Sequence, residues 1–324
     1  MLLATMLLII GLFLVVYSAD RLVFAASLLC RTINISPLVV GMTVVGVGTS
    51  LPEIMVSVAA ALHGQLDLAV GTALGSNITN ILLIAGLAAL LHPFSVHSDI
   101  LRRELPLMLL MSALAGLFLY DGTLSRTDGV VLLMIAVCYL WFIVKIARIV
   151  QQQGSDSLTR EQLAELPRGG NLSVAFLWLA VALIIMPMAT RMVIDNATVV
   201  AHYFAIDELT IGLTVIAIGT SLPELATAIA GVRKGEDDIA IGNIIGSSIY
   251  NIAIVLGLPA LLAPGAINAL AFTRDYGVML GVSALFALLC WRRAHIGKRA
   301  GAGLLIGFVI WMALLYWGSS TLIG

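Results

Sequence analysis

The sequence predicts an all-α membrane protein of ten transmembrane helices, arranged as two inverted five-helix repeats. Three observations predict it. Ten apolar segments run through the chain, one long polar stretch separates the fifth from the sixth, and the run GMTVVGVGTSLPE at 41–53 returns as GLTVIAIGTSLPE at 212–224.

The composition sets the class. Of 324 residues, 60% are hydrophobic and only 11% are charged, and the mean hydropathy is +1.08. A soluble chain of this length needs far more charge to cover its surface. A net charge of −1 offers no basic surface for nucleic acid. The three cysteines, Cys30, Cys138 and Cys290, lie in or beside apolar stretches without metal-like spacing, and read as buried apolar filler.

The apolar segments fall at about 2–28, 36–62, 68–91, 104–120, 128–149, 172–195, 206–232, 239–262, 274–291 and 301–322. Most approach the roughly 20 residues a spanning helix needs. The first has no preceding Lys or Arg and is followed by many like it, so it reads as a membrane helix and not as a cleaved leader. The polar stretch Gln151 to Asn171 contains SLTREQLAEL, with Thr159 and Gln162 at capping-box spacing, and reads as a short amphipathic surface helix. The domain reading is therefore 1–150 as the first five-helix repeat, 151–171 as a cytoplasmic linker and 172–324 as the second repeat.

Orientation follows from the basic residues. The loops joining segments 1–2, 3–4, 5–6, 7–8 and 9–10, with the segment ends beside them, hold fourteen of the 17 Lys and Arg, while the opposite side holds only Arg126, Arg191 and Arg274. By the positive-inside rule, both termini are expected on the periplasmic side of a bacterial cytoplasmic membrane.

The repeat extends beyond its first motif. GTALGSNITNILLIAGL at 71–87 matches GNIIGSSIYNIAIVLGL at 242–258 at the same offset of 171, and 21 of the 47 positions from 41 to 87 are identical to their counterparts. Five spans is an odd number, so the second repeat enters the membrane inverted. The loops agree. His63-Gly64-Gln65-Leu66-Asp67 carries no Lys or Arg, whereas its counterpart begins Arg233-Lys234. Inverted repeats place a binding site near the midplane, between the halves.

The motif chemistry suits a hard cation. A glutamate at mid-membrane costs roughly 2.5–3.5 kcal/mol or more and is retained for function. Glu53 follows Thr49 by four residues and Ser50 by three, so a helix gathers the three side chains on one face. Pro52 has no N–H and breaks the helix, freeing the carbonyl of Gly48, and Gly46 and Gly48 add backbone freedom. Thr220, Ser221, Pro223 and Glu224 repeat the arrangement. Ser76 and Asn80, like Ser247 and Asn251, stand four apart and add hydroxyl and amide oxygens, while Gly75 and Gly246 permit close helix approach. Carboxylate, hydroxyl and carbonyl oxygens with no soft or imidazole ligand suit Na⁺ and Ca²⁺. His63, His92, His97, His202 and His295 lie near span ends as interfacial residues. Asp20 and Asp195 read as solvated or snorkelling, and Glu236-Asp237-Asp238 most simply as a solvated loop, with an ion-attracting mouth as the alternative.

The duplicated GTSLPE and GS-x-I-x-N motifs resemble the two α-repeats of the cation/calcium exchanger superfamily, in its sodium/calcium exchanger branch, over essentially the whole chain. The resemblance implies that Glu53 and Glu224 are the main Ca²⁺ ligands. It implies that Thr49, Ser50, Thr220 and Ser221 give hydroxyl or carbonyl oxygens, that Ser76, Asn80, Ser247 and Asn251 line flanking positions, and that Gly46 and Ala217 give backbone carbonyls. Some exchangers of this type carry Asp where this chain has Asn251, so the expected core has two carboxylates and not three. Two charges balance one Ca²⁺, two Na⁺ or two H⁺, and the counter-ion stays open between Na⁺ and H⁺. The expected function is secondary antiport with Ca²⁺ export by alternating access. A cation channel is the alternative, and an enzyme is not expected because no nucleophile–base set or H-E-x-x-H motif occurs. No cofactor, nucleic acid or obligate protein partner is expected, the partners being the lipid bilayer and the transported cations.

Overall fold

A computed structural model describes residues 2–33, 35, 37–96, 104–152, 172–203, 217–293 and 295–320. The amphipathic segment at 157–166 and the first part of the segment at 206–232 lie outside them. The described helices are α1 (Leu2–Ile33), α2 (Pro37–Thr49), α3 (Leu51–Leu62), α4 (Leu66–Leu91), α5 (Leu105–Leu119), α6 (Arg126–Gln152), α7 (Leu172–Tyr203), α8 (Ala217–Thr220), α9 (Leu222–Arg233), α10 (Asp237–Leu262), α11 (Ala271–Trp291) and α12 (Lys298–Ser320). Four two-residue strands, β1 (Phe94–Ser95), β2 (Thr123–Leu124), β3 (Gly265–Ala266) and β4 (His295–Ile296), complete the described elements.

Seven of these helices are long and apolar enough to cross a membrane, and α2 with α3 makes an eighth as one span bent by 42°. The segment at 104–120 forms the shorter helix α5, whose 15 residues reach about 22 Å at 1.5 Å each. The apolar side chains of α1 and α7 point outward in large part, with Phe13, Val16, Leu177 and Ile184 all exposed. In water that would be a liability, but it is what a lipid-facing helix requires. Cys30 and Cys290 are buried as expected, whereas Cys138 is exposed on the outer side of α6.

The helices with the richest polar content lie deepest. In α10, whose sequence carries Asn243, Ser247, Ser248 and Asn251, 83% of the best apolar window is buried; in α4 the figure is 72%, against 22–28% for the other five spans. Without water in the bilayer, polar side chains must find partners inside the protein, and these two helices are therefore central. Glycine makes that packing possible. A Cβ on Gly246 would stand 2.5 Å from the carbonyl oxygen of Met42, and one on Gly242 2.7 Å from that of Leu38, so α10 and α2 touch backbone to backbone. The corresponding expectation for Gly75 is not met among the described residues, where the nearest neighbour of a Cβ is Trp311 at 3.9 Å.

The short strands mark the two ends of the molecule. β1 pairs with β4, and Ser95 N donates to Asp237 Oδ2 at 3.1 Å. β2 pairs with β3, and Asn268 N donates to Asp67 Oδ1 at 2.7 Å. Helix α4 runs from the second of these ends to the first, about 39 Å for its 26 residues. The turn after α3 (Gly64, φ +75°) and the turn after α9 (Gly235, φ +74°) therefore lie at opposite ends.

The acidic run at that second turn departs from the solvated loop expected of it. Glu236 and Asp238 are each only 7% exposed, and Ser27 Oγ of α1 donates to Glu236 Oε1 at 2.9 Å. Burial pushes the Glu236 carboxyl from 4.5 to about 7, partly opposed by the Ser27 hydrogen bond. Beside it, Lys234 Nζ reaches Asp20 Oδ1 at 2.7 Å in a half-exposed pair.

Candidate functional site

The site is built on two broken helices. Proline at the second position of α3 and of α9 removes an N–H that a continuous helix would use, and the chain steps out of helical geometry two residues before it. Ser50 adopts φ −81°, ψ 4°, and Ser221 adopts φ −87°, ψ 5°. Each half resumes at once, with Ile54 N donating to Ser50 O at 3.1 Å and Leu225 N to Ser221 O at 3.0 Å. Glu53 and Glu224 sit in the first turns of the resumed helices, where the exposed N–H ends favour a carboxylate.

Both glutamates are 1% exposed, and Thr49, Ser50, Thr220 and Ser221 are no more than 2% exposed. The two halves are cross-linked through them. Ser50 Oγ donates to Glu224 Oε1 at 3.1 Å, and Ser221 Oγ donates to Glu53 Oε1 at 3.2 Å. Each hydroxyl follows its own half's threonine in sequence but serves the other half's carboxylate. The second oxygens, Glu53 Oε2 and Glu224 Oε2, are buried with no hydrogen-bond partner among the described residues.

Helix α10 closes one flank. Ser247 Oγ donates to the carbonyl of Gly46 at 3.3 Å, and Thr49 Oγ1 lies 3.5 Å from Ser247 Oγ. On the other flank, the short segment Ala217–Thr220 packs on the first part of α4, which carries Ser76 and ends at Asn80. Asn80 and Asn251 open matched stretches of wider, π-type turns, Asn80–Ala85 and Asn251–Val255. Such turns recur at functional sites because they displace a side chain from the regular helical face. Both atoms of the Asn80 amide, and Asn251 Oδ1, are buried without a partner among the described residues. Among the described residues, no three His, Cys, Asp or Glu are placed together to hold a metal ion, so the carboxylates of this site are the pair Glu53 and Glu224.

Sequence reasoning missed four contributors. Asn243 is fully buried and accepts from Thr49 Oγ1 at 2.9 Å. Asn77 is fully buried and bridges Asn251 to the main chain of Ser248. Both are amides in an apolar span, which is the signal that marks them; neither is duplicated, so the likeness of the two halves does not. Leu183 and Ile194 of α7 carry no polar signal. Yet Leu183 leans directly on Gly48, and Ile194 stands 2.6 Å from where a Cβ of Gly219 would be. A single helix thus rests on the motif glycines of both halves.

The family profile described as sodium/calcium exchanger protein matches residues 3–145 and 174–317. The chain belongs to that family. It is 72% identical over 324 residues to the inner membrane protein YrbG of Escherichia coli (strain K12), covering all of both chains. It is 44% identical over 319 residues to the putative antiporter CaxA of Alkalimonas amylolytica, covering 98% of this chain and 99% of that one. Its structure is similar to that of the sodium-calcium exchanger NCX_Mj, with a TM-score of 0.82 at 28% identity, covering 96% of this chain and 98% of that one. The all-α membrane fold and the family place this exchanger-family chain among transporters of cations and not among enzymes.

Proposed function

We propose that this family member is a secondary antiporter that exchanges Ca²⁺ against Na⁺ or H⁺ across the cytoplasmic membrane by alternating access, in the direction of Ca²⁺ export. The observation that carries the reading is the crossed pair of hydroxyl–carboxylate hydrogen bonds. Through it Glu53 and Glu224, 171 residues apart in the chain, serve one shared site.

The buried oxygens of that site are the proposed ligands. Glu53 and Glu224 supply the charge. Thr49, Ser50, Thr220, Ser221, Ser76 and Ser247 supply hydroxyls, Asn80 and Asn251 supply amide oxygens, and Gly46 and Ala217 supply carbonyls. Hard oxygens in this number suit Ca²⁺ and Na⁺. Ca²⁺ and the counter-ion compete for the same two carboxylates, so one enters as the other leaves. An empty site would occlude two uncompensated charges from water, which opposes crossing without cargo and makes the protein an exchanger and not a leak.

The architecture proposed is ten spans in two inverted repeats, 1–150 and 172–324, joined by a cytoplasmic linker at 151–171. Support comes from the opposite placement of the Gly64 and Gly235 turns and from the skewed distribution of Lys and Arg. The similarity to an inner membrane protein supports the location. Both termini are placed in the periplasm, and a C-terminal reporter that is active only in the cytoplasm would overturn that.

The decisive measurement is ⁴⁵Ca²⁺ uptake by vesicles under an imposed Na⁺ gradient and then under an H⁺ gradient. Exchange is expected to stop in Glu53→Gln and in Glu224→Gln. Undiminished flux in either variant, or flux that needs no counter-ion, overturns the reading.

A further inference from the structure

The two halves of the site differ at one amide. Position 77 is Asn, while its counterpart 248 is Ser, and the hydrogen bonds around Asn77 can be assigned from one fixed point. The main-chain carbonyl of Ser248 can only accept. The atom of Asn77 that lies 3.1 Å from it must therefore be Nδ2. Asn77 Oδ1 then faces Asn251 at 3.0 Å, and Asn251 must present its own Nδ2 to meet it. The remaining atom, Asn251 Oδ1, is turned the other way, buried and without a partner among the described residues. Reversing the Asn251 amide would set two oxygens against each other at 3.0 Å and abolish that bond.

Asn80 has no such constraint. Neither of its amide atoms has a partner among the described residues, and its half has Asn77 where the other half has only a serine hydroxyl. Ser248 spends that hydroxyl on Ile244 O of its own helix, at 2.8 Å.

We infer that Asn77 is a positioning residue that holds Asn251 in one amide orientation, so that Asn251 offers the site a permanent oxygen. Asn80 turns its amide to suit whatever occupies the site. The inference rests on the shared cation site proposed above and deepens it. The neutral amide at 251 acts there as a fixed cation ligand that accepts no proton, while its partner at 80 adapts between loaded and empty states.

The test uses purified full-length protein in liposomes, with ⁴⁵Ca²⁺ uptake driven by whichever gradient drives the wild type. Asn77→Ala is expected to raise the KM for Ca²⁺ about tenfold with kcat changed less than about threefold, as loss of a fixed ligand oxygen weakens binding before turnover. In an Asn251→Ala background the same substitution is expected to add less than about twofold, because Asn77 acts through Asn251. Asn77→Leu gives a second readout. It keeps most of the side-chain volume and removes both hydrogen bonds, so it should raise the KM for Ca²⁺ as Asn77→Ala does, again with kcat changed less than about threefold.

Equal KM in wild type and Asn77→Ala overturns the inference, as does full additivity with Asn251→Ala. So does a wild-type KM in Asn77→Leu, which remains measurable if Asn77→Ala fails to fold. A wild type that exchanges no Ca²⁺ is a different failure and strikes the proposed function itself.

Discussion

The hydroxyl of Ser221 donates to Glu53 across 3.2 Å, from the second half of the chain to the first. Its mirror, Ser50 to Glu224, measures 3.1 Å. The near-equality predicts near-equal consequences. Ser50→Ala and Ser221→Ala should each raise the KM for Ca²⁺ by about tenfold, the scale of one hydrogen bond to a charged group, and should agree with each other within about threefold. Vesicle uptake curves check this. One silent variant beside one inactive variant would show that the two pairs are not equivalent.

The pairing of only two carboxylates, with asparagine at both 80 and 251, predicts electroneutral exchange of two monovalent cations for one Ca²⁺. A third Na⁺ would leave uncompensated positive charge in a low-dielectric site. A transported net charge feels about 2.3 kcal/mol per 100 mV of membrane potential. Imposing a potential with K⁺ and valinomycin should therefore leave the initial rate of Ca²⁺ exchange unchanged within about twofold. A rate that follows the potential refutes the two-charge count.

Helix contact at Gly242 and Gly246 is backbone against backbone, so no side chain can move aside to admit a methyl group. Gly242→Ala and Gly246→Ala should each cost roughly 1–3 kcal/mol, as overpacked cores do, and should lower the unfolding temperature in detergent. Gly281→Ala is the control, since nothing lies within 4 Å of the added carbon. Its unfolding temperature should equal the wild type's or lie slightly above it, because alanine is the better helix former. Gly48→Ala differs in kind, because it meets only the end of the Leu183 side chain, and Leu183→Ala should restore what it loses.

The buried turn at Glu236 predicts a pH dependence of stability. Its carboxyl titrates near 7 in the folded protein and near 4.5 when free, because burial disfavours the charge. Between those values the folded state holds a proton that the unfolded state has released. This contribution is complete below about pH 4.5 and is lost as pH rises through about 7. Relative to Glu236→Gln, which cannot ionise, the wild-type unfolding temperature should fall between pH 5 and pH 8. The expected scale is about 2–4 °C for each kcal/mol lost. Parallel curves for the two proteins would sink the assignment.

The sequence by itself determined the membrane class, the repeat and the identity of the two glutamates. Each of these rests on local or periodic information. A helix that must cross lipid declares itself in its own apolar residues, and an offset of 171 between GTSLPE motifs needs no coordinates to find. Even the break at Ser50 followed from Pro52, because a missing N–H acts within one turn.

What the tertiary structure alone decided was pairing and burial between distant segments. No periodicity says that Ser221 serves Glu53 and not its own Glu224, that Asn77 reads the orientation of Asn251, or that Asn243 takes the Thr49 hydroxyl. These contacts join residues 168 to 194 apart. Their partners are set by which helix faces meet, and that is a property of the whole packing. The acidic turn teaches the same point. Glu236-Asp237-Asp238 reads as a solvated loop because three charges in a row favour water, until Ser27 of α1 supplies a buried hydroxyl that the local sequence does not contain. The glutamate motif marks two buried carboxylates in apolar helices, and the contact between the halves brings its two copies together.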